Sequence, residues 1–386
     1  MDDALTPDQE RFRAGVRALL AEPRVRKAVD ELAHYAPREE PAALDVYRWL
    51  GERGWLAPNW PVEYGGIGAG VVESAIVTEE MALAGLPDDA HVLSIDIVGL
   101  FLLMVGTAEQ KVKYLPPLAR GESIATVLYT EPHCGSDLAA LRTRAEPDGP
   151  GAWRLYGTKI YNQKSQFGDY ALCAARTTES EVRFHGITLF LVPLRSPGVT
   201  VAPVWSMENN RFNEVVLDGI RLTGEHVVGE LDDGWDLMNR MLLLERTGID
   251  FQAKIRFWYD RIAAHGTRTG RLADPVLRAQ AADLDARLSA ARALAWQQVA
   301  NLAAGKPDPV ASAASKWYAT EQARAVARFG FEVTGLPGVL SAWDGDAPMD
   351  GWLEATYRVA PTLTLASGTS EIMLHLIAST GLELFS

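Results

Sequence analysis

The sequence is poor in cysteine, with only Cys134 and Cys173 among 386 residues. Two thiols cannot build a disulfide framework or a four-cysteine zinc site, and their scarcity fits a reducing compartment, so a cytoplasmic protein is expected. His133-Cys134 is the one close His/Cys pair and no second pair stands at ligand spacing, so no metal site is expected. Long hydrophobic runs are also missing. The most apolar stretch, residues 97–106, falls well short of the roughly 20 residues a bilayer crossing needs and reads as a buried helix. Met1-Asp2-Asp3-Ala4 is acidic where an export signal would be basic, so neither export nor a membrane partner is expected. Basic charge is in deficit: 37 Lys and Arg against 50 Asp and Glu leave a net charge of −13. Undirected attraction to phosphate backbones is thereby disfavoured, and no nucleic-acid partner is expected. The absence of G-x-S-x-G and H-E-x-x-H disfavours hydrolysis.

What is present is an ordinary globular composition, 48% hydrophobic and 23% charged, over a length of two to three average domains of about 150 residues. Up to residue 123 the pattern is helical, with Phe12, Val16, Leu19 and Leu20 at three- and four-residue spacing. A turn-rich break at residues 58–70 interrupts it. Its glycines, Gly65-Gly66-x-Gly68-x-Gly70, follow no β-branched strand and miss the G-x-G-x-x-G order, so they do not read as a dinucleotide loop. From residue 124 to 232 the runs are short and β-rich, at 124–129, 153–156, 170–174, 187–192, 199–201 and 213–217. Pro147–Gly151, Ser196-Pro197-Gly198 and Asp218-Gly219 read as the turns between them. With no long helical pattern in between, an antiparallel sheet or barrel of about 100 residues is expected. Residues 233–386 return to helical periodicity, with breaks at Asp274-Pro275, Gly305–Pro309 and Gly335–Gly338. Four helices of about 15 to 30 residues fit there, the size of a four-helix bundle. The expected architecture is therefore α+β, mainly α: a helical domain over 1–123, a β-domain over 124–232 and a helical bundle over 233–386.

Three segments can carry chemistry. Glu245 has Met241, Leu242, Gly248 and Ile249 as same-face helical neighbours, an apolar stripe in which a carboxylate is out of place. Arg246 has Asp250 at i+4 as an ordinary partner. A carboxyl buried without a partner is raised toward neutral pH and suits a general base. A pair with an arginine of another helix accounts for the same pattern, and spacing does not choose between the two. In the second segment, Tyr129 to Asp137, the hydroxyls of Thr130 and Ser136 and the backbone at Gly135 can donate to a planar heterocycle or a phosphate; a plain loop is the bland alternative. In the third, Ser367-Gly368-Thr369-Ser370-Glu371, Thr369 or Ser370 can cap a helix whose first-turn N–H groups suit an anion; a simple cap is the alternative.

Taken together, Thr130-Glu131-Pro132-x-x-Gly135-Ser136-Asp137, the Glu245-Arg246 pair and Gly368-Thr369-Ser370-Glu371-Ile372 resemble the acyl-CoA dehydrogenase family. The Glu63-Tyr64-Gly65-Gly66 turn, Gly186-Ile187-x-x-Phe190-Leu191-Val192 and Phe212-Asn213-Glu214-Val215 extend the resemblance over nearly the whole chain. It implies a helical domain, a β-barrel and a four-helix bundle with FAD at domain and subunit junctions. It also implies α,β-dehydrogenation of an acyl thioester, carried on CoA or a carrier protein. A carboxylate takes the α-proton, and the β-hydride goes to the flavin, which an electron-transfer flavoprotein or another acceptor reoxidises. Two positions supply the base in this family. One precedes the late Gly-Thr and is Ser367 here; the other is Glu245, as in members of the isovaleryl and long-chain types. Small Ser367 leaves room for a bulky or branched acyl group.

By the same matching, Tyr129, Thr130, Gly135, Ser136, Tyr161, Gln163, Gly335, Thr369 and Glu371 fall at the cofactor, and Ser136, Arg246, Ser367 and Gly368 at the substrate. Four departures stand out. Tyr161 replaces a tryptophan, and Gln163 replaces a hydroxyl residue beside the flavin. The Arg-x-x-Phe-Gly segment of the family is missing at residues 265–271. The late Gln-x-x-Gly-Gly is only partly matched by Glu332 to Leu336. Two other readings are a flavin-dependent oxidase or monooxygenase on the same fold, which Gln163 favours, and a non-catalytic partner subunit, which an intact Glu245 opposes. The expected assembly is a homodimer, a homotetramer or a heteromer with a related subunit.

Overall fold

Local capping sets where most of the long helices begin. In the computed structural model, which describes residues 5–33, 44–207, 210–245 and 247–384 and their side chains except at 31–33 and 241–245, α1 (Pro7–Leu20) starts on a reciprocal Thr6/Gln9 cap with bonds of 3.0 and 3.3 Å. The first segment continues through α2 (Pro23–Ala33), α3 (Leu44–Gly51), α4 (Val71–Leu83) and the single turn α5 (Asp89–His91). The apolar run is helical as expected, but its start is π-wound over Val92–Gly99 before α6 (Leu100–Val105) and α7 (Ala108–Ala119) follow. Gly99 is required there, because a Cβ would lie 2.3 Å from the ring of buried Trp60. No helix among the described residues is long and apolar enough to cross a membrane.

The middle segment is one eight-stranded sheet of β1 (Ala125–Leu128), β2 (Arg144–Pro147), β3 (Ala152–Asn162), β4 (Tyr170–Arg176), β5 (Ile187–Pro193), β6 (Val199–Trp205), β7 (Arg211–Thr223) and β8 (Val227–Val228). Its order is β6-β7-β3-β2-β4-β5-β8, with β1 added on β4. Two features differ from the sequence expectation. The sheet is mixed, because β1 runs parallel to β4, with Ala125 opposite Tyr170 and Leu128 opposite Cys173; the β2–β3 excursion supplies the long connection that a parallel pair needs. Asp218-Gly219 is not a turn. Gly219, at φ 68°, lies within β7 at a register shift opposite Leu155/Tyr156, a bulge that lets one 13-residue strand continue. Pro147–Gly151 and Ser196–Gly198 do form the turns between strands.

Strands β4 and β5 are buried on both faces. Leu172, Ala174, Leu189 and Leu191 join the core of the first helical layer, while Ala171, Cys173, Phe190 and Val192 join the core on the other face. After β8 come α8 (Gly234–Glu245), α9 (Ile249–Arg268), α10 (Pro275–Ala303) and α11 (Pro309–Thr334), the last two capped by Asp274 and Asp308 ahead of N-terminal prolines. The fourth long helix expected of the bundle is only α12 (Trp352–Leu363), 12 residues. Gly335 ends α11 at φ 69°, and two 3-10 turns, Leu336–Val339 and Pro348–Gly351, take up the intervening length. A short α13 (Ser370–Leu376) follows, with Thr369 as its cap.

One buried carboxylate joins the first and last segments. Glu79 of α4, 1% exposed, accepts from Arg13 of α1 (2.9 Å), Gln252 of α9 (2.9 Å), and Arg292 (2.8 and 3.0 Å) and Trp296 (2.9 Å) of α10. Both guanidinium groups also lie over the Trp296 ring, at 5.2 and 5.5 Å. Removing one partner of a buried ion network costs about 3–5 kcal/mol, because the others stay buried and uncompensated. Glu79→Ala is therefore expected to lower the thermal midpoint far more than Arg11→Ala, at an exposed helix-surface pair; equal melting curves contradict this role.

Candidate active site

Two groups of the sequence-predicted residues come together in space. The first is built where β1 ends. Glu131 and Cys134 close a tight turn by exchanging backbone bonds of 3.0 and 3.1 Å. The Thr130 carbonyl accepts from Ile160 N–H (2.9 Å), which sets this turn against the end of β3 and so beside Tyr161. A Cβ on Gly135 would sit 3.8 Å from Thr130 Cγ2, so Gly135 faces the Thr130 side chain, and Ser136 is exposed next to it. Tyr161 is held in the left-handed region (φ 58°), 59% exposed, its ring edge-on to Phe212. The Gln163 carbonyl accepts from Thr126 Oγ1 at 2.6 Å.

Beneath this turn lies Lys159, 0% exposed, which donates to the Tyr129 carbonyl (3.0 Å) and to Glu131 Oε1 (2.8 Å). Glu131 also accepts from the backbone N–H groups of Arg142 (2.7 Å) and Thr143 (2.9 Å). Burial alone would raise the Glu131 carboxyl, but the Lys159 ammonium and these bonds more than offset it and hold the group below the usual carboxylate range. Glu131, His133 and Cys134 bring ligand-type atoms within 4.8 Å of one another. Glu131 is already paired with Lys159, and burial together with the Glu131 charge pushes the Cys134 thiol up.

The second group is assembled by α11. Ser315 Oγ donates to the Thr247 carbonyl at 2.9 Å, next to Gly248, which starts α9 at φ 80° and whose Cβ would strike Ser315 Oγ at 2.8 Å. The next residue, Lys316, is 0% exposed and donates to the carbonyls of Gly368 (2.7 Å) and Leu363 (3.2 Å). Ser370 Oγ donates to Glu321 Oε1 at 2.6 Å, one turn further along α11. Consecutive residues of one helix thus hold the connection that follows Glu245 and the turn that contains Ser367 (φ 52°) and Gly368 (φ 92°). Glu245 ends α8, but its side chain lies outside the described residues, as does all of Arg246. Thr369 Oγ1 accepts from Ile372 N–H (3.2 Å), the predicted cap, with exposed Glu371 in the first turn. Gly335 is not brought to either group: it lies 19 residues beyond Lys316 on α11, about 28 Å along a helix.

The two groups are linked by charges the sequence reading did not single out. Phe251 of α9 packs its ring 5.6 Å from Lys316 Nζ, and one turn on, Lys254 Nζ meets Asp88 (2.7 Å) and Asp89 (4.0 Å). Asp89 also meets Lys164 Nζ at 3.5 Å, one residue after Gln163. Against the effect of burial, the two ammonium groups hold Asp89 below the usual carboxylate range. The available signal for Lys316 was a charged residue on the small-residue face Ser312, Ala313, Ser315, Ala319 and Thr320, all of them buried. Such a face marks a close approach by another segment.

Two outcomes follow from this geometry. Lys316→Met is expected to cost about 1–3 kcal/mol by leaving backbone acceptors without their buried donor. It is also expected to speed amide hydrogen exchange in residues 364–370 while leaving α10 unchanged; uniform exchange contradicts the assignment. Because the folded-state value of Glu131 is depressed, its contribution to stability is complete above the ordinary glutamate value of about 4.3 and is lost as pH falls through the folded value. Glu131→Gln should therefore lower the melting temperature at pH 7 and flatten its fall below about pH 4.3. Parallel curves for the two proteins exclude the pair as a source of acid sensitivity.

Comparison with known proteins covers nearly the whole chain. Three family models match in series: acyl-CoA dehydrogenase N-terminal domain over residues 6–122, middle domain over 126–220 and C-terminal domain over 232–382. The acyl-CoA dehydrogenase FadE26 of Mycobacterium tuberculosis is 30% identical over 400 residues, covering 98% of each chain. Among solved structures, the Tcur3481-Tcur3483 steroid ACAD matches with a TM-score of 0.90 and 28% identity over 100% of this chain and 99% of its own. The ChsE4-ChsE5 complex from Mycobacterium tuberculosis matches with 0.86 and 28% over 100% of both. The chain belongs to the acyl-CoA dehydrogenase family, oxidoreductases that act on CH–CH bonds.

Proposed function

We propose that the protein is an FAD-dependent acyl-thioester dehydrogenase that uses Glu245 as its base. The observation that carries this reading is the adjacency of Ser315 and Lys316, which tie the backbone at Thr247 and at Gly368 to neighbouring points of α11. These ties support a reading in which the two positions from which this family draws its base flank one space. Only Glu245 offers a carboxylate, because the other position is Ser367.

The residues of the first group fit a flavin. A ring system is matched by exposed Tyr161, and hydrogen-bonding edges by the Thr130 and Ser136 hydroxyls, with Gly135 adding no side chain between them. Tyr129 and Gln163 support this surface through their backbone bonds. Bound FAD supplies the acceptor for the β-hydride. The chain's own part is to hold the thioester by the Ser367–Gly368 turn and Arg246 and to take the α-proton on the Glu245 carboxylate. The Cα–H and Cβ–H bonds break, the α,β double bond forms, and two electrons leave as hydride. Donors at the thioester carbonyl stabilise the negative charge that builds there. An electron-transfer flavoprotein or another acceptor then takes the electrons, and Glu245 returns its proton to solvent.

Ser367 leaves space near the α-carbon, which supports a bulky or branched acyl group on CoA or a carrier protein. Likeness to a protein titled a steroid ACAD points to a polycyclic group as one case. Gly335 and Thr369–Glu371 serve the cofactor only if FAD extends across a subunit boundary, which the distance of Gly335 along α11 supports. Two matched structures are assemblies of two named chains, so a related second subunit is proposed ahead of a homo-oligomer.

The test is an absorbance spectrum followed by anaerobic titration with branched, steroid-derived and short straight-chain acyl-CoA. Bulky thioesters are expected to bleach the flavin, and Glu245→Gln to keep the flavin but lose on the order of 10²–10⁴-fold in rate. Full rate in that variant, or bleaching by short straight chains alone, overturns the reading. Peroxide release with no reduction of an artificial acceptor transfers it to an oxidase.

A further inference from the structure

We propose that Asp96 determines substrate specificity, its carboxyl group accepting a hydrogen bond from a hydroxyl on the acyl part of the thioester. The inference deepens the acyl-thioester reading above and rests on it.

The π-wound segment Val92–Gly99 touches elements that lead to both groups of the site. Ser94 Oγ exchanges bonds with the Ala125 backbone at 3.0 and 3.1 Å, which ties the segment to β1, the strand ahead of the Thr130–Ser136 turn. The segment also packs against α8, the helix that ends at Glu245. Asp96 follows Ser94 by two residues, about half a turn of π winding, and so faces away from the sheet. On that side its neighbour Asp88 meets Lys254 of α9 at 2.7 Å. Val92, Ile97 and Leu100, which flank Asp96, are each only partly buried. Asp96 is thus a single carboxyl in a half-open apolar row. A packed core seals such a row, whereas a half-open one forms the wall of a space that an acyl group can fill.

The surroundings of Asp96 leave one of its oxygens open. Among the described residues His91 is the one basic side chain within 4.0 Å of it, with Nδ1 3.8 Å from Oδ2. His91 is 2% exposed, and its Nε2 lies 2.8 Å from the Leu56 carbonyl, which can only accept. The ring hydrogen therefore sits on Nε2. Nδ1, buried and without a hydrogen-bond partner, is the nitrogen turned to Asp96. Burial pushes the Asp96 carboxyl up, opposed by His91 and reinforced by Asp88. A proton shared by this pair rests on oxygen or on nitrogen, and in both forms Asp96 Oδ1 keeps its lone pairs and receives no donor. The side chain is 28% exposed, so a ligand can reach it. The absent donor fits a hydroxyl. A keto oxygen has no hydrogen to give, a carboxylate meets Asp88 as a like charge, and the apolar row suits a neutral group better than an ammonium.

The experiment gives the flavin-loaded enzyme alicyclic acyl-CoA thioesters in matched unsubstituted, hydroxyl and keto forms, with the oxygen at successive ring carbons. At one position the hydroxyl form is expected to exceed the other two in kcat/KM by roughly tenfold to a hundredfold, mostly through KM. Asp96→Leu should abolish that preference, whereas Asp96→Asn, which keeps an acceptor oxygen, should retain part of it. If Asp96→Leu does not fold, Asp96→Ala carries the same expectation. A lowered melting temperature with an unchanged preference makes Asp96 a structural residue and overturns the proposal. So does a wild-type enzyme that prefers the keto form, or that favours the hydroxyl form at no position. These results leave the dehydrogenase reading standing, while a flavin that no thioester of the panel bleaches overturns both.

Discussion

The site depends on an ammonium group buried where no water can reach it. Lys316 sits within the bundle, and its cost of burial is offset by main-chain carbonyls at Leu363 and Gly368. Those carbonyls end a helix and form a turn with two left-handed residues. One charge thus does what secondary structure cannot: it fixes an irregular segment to a rigid helix. Ser315, the preceding residue, does the same for the junction of α8 and α9. The contact is close enough that only glycine fits at position 248. The proposed reaction site, made of two loops, thereby acquires the precision of one helix.

Buried charge recurs as the means of joining layers. Glu79 gathers donors from α1, α9 and α10, Asp88 and Asp89 gather ammonium groups from the sheet and the bundle, and Glu131 with Lys159 braces the turn beside Tyr161. Apolar packing is continuous across the first helical layer and the sheet, so it holds these parts together without fixing their register. Ion pairs with defined partners fix the register. The acidic excess noted at the outset therefore says little about partners, since several of its carboxylates are spent inside the protein.

What was legible in the sequence was local. The breaks at Asp274-Pro275, Gly305–Pro309 and Gly335–Gly338, the cap at Thr369 and the turn at Ser196–Gly198 each depend on residues close together in the chain. The family motifs singled out the turn proposed here for the flavin, because Thr130, Gly135 and Ser136 lie together in the chain. Asp218-Gly219 was misjudged as a turn because a bulge glycine and a turn glycine share the same local chemistry; only the partner strand distinguishes them. The bond from Lys316 to Gly368 spans 52 positions, and that from Lys164 to Asp89 joins different layers. No periodicity encodes such pairs, and a lysine in a helix or after a strand reads as surface. The parallel β1–β4 pairing was hidden for the same reason: register between distant strands is a tertiary property.

The central claim is that the position that ends α8 and the position before Gly368 face one reacting carbon. Moving the base tests this most directly. In the purified holoenzyme, Glu245→Gln should abolish exchange of the substrate α-proton with deuterated solvent, and adding Ser367→Glu to that variant should restore a measurable part of it. Absence of any recovery in a folded, flavin-loaded double variant would contradict the account.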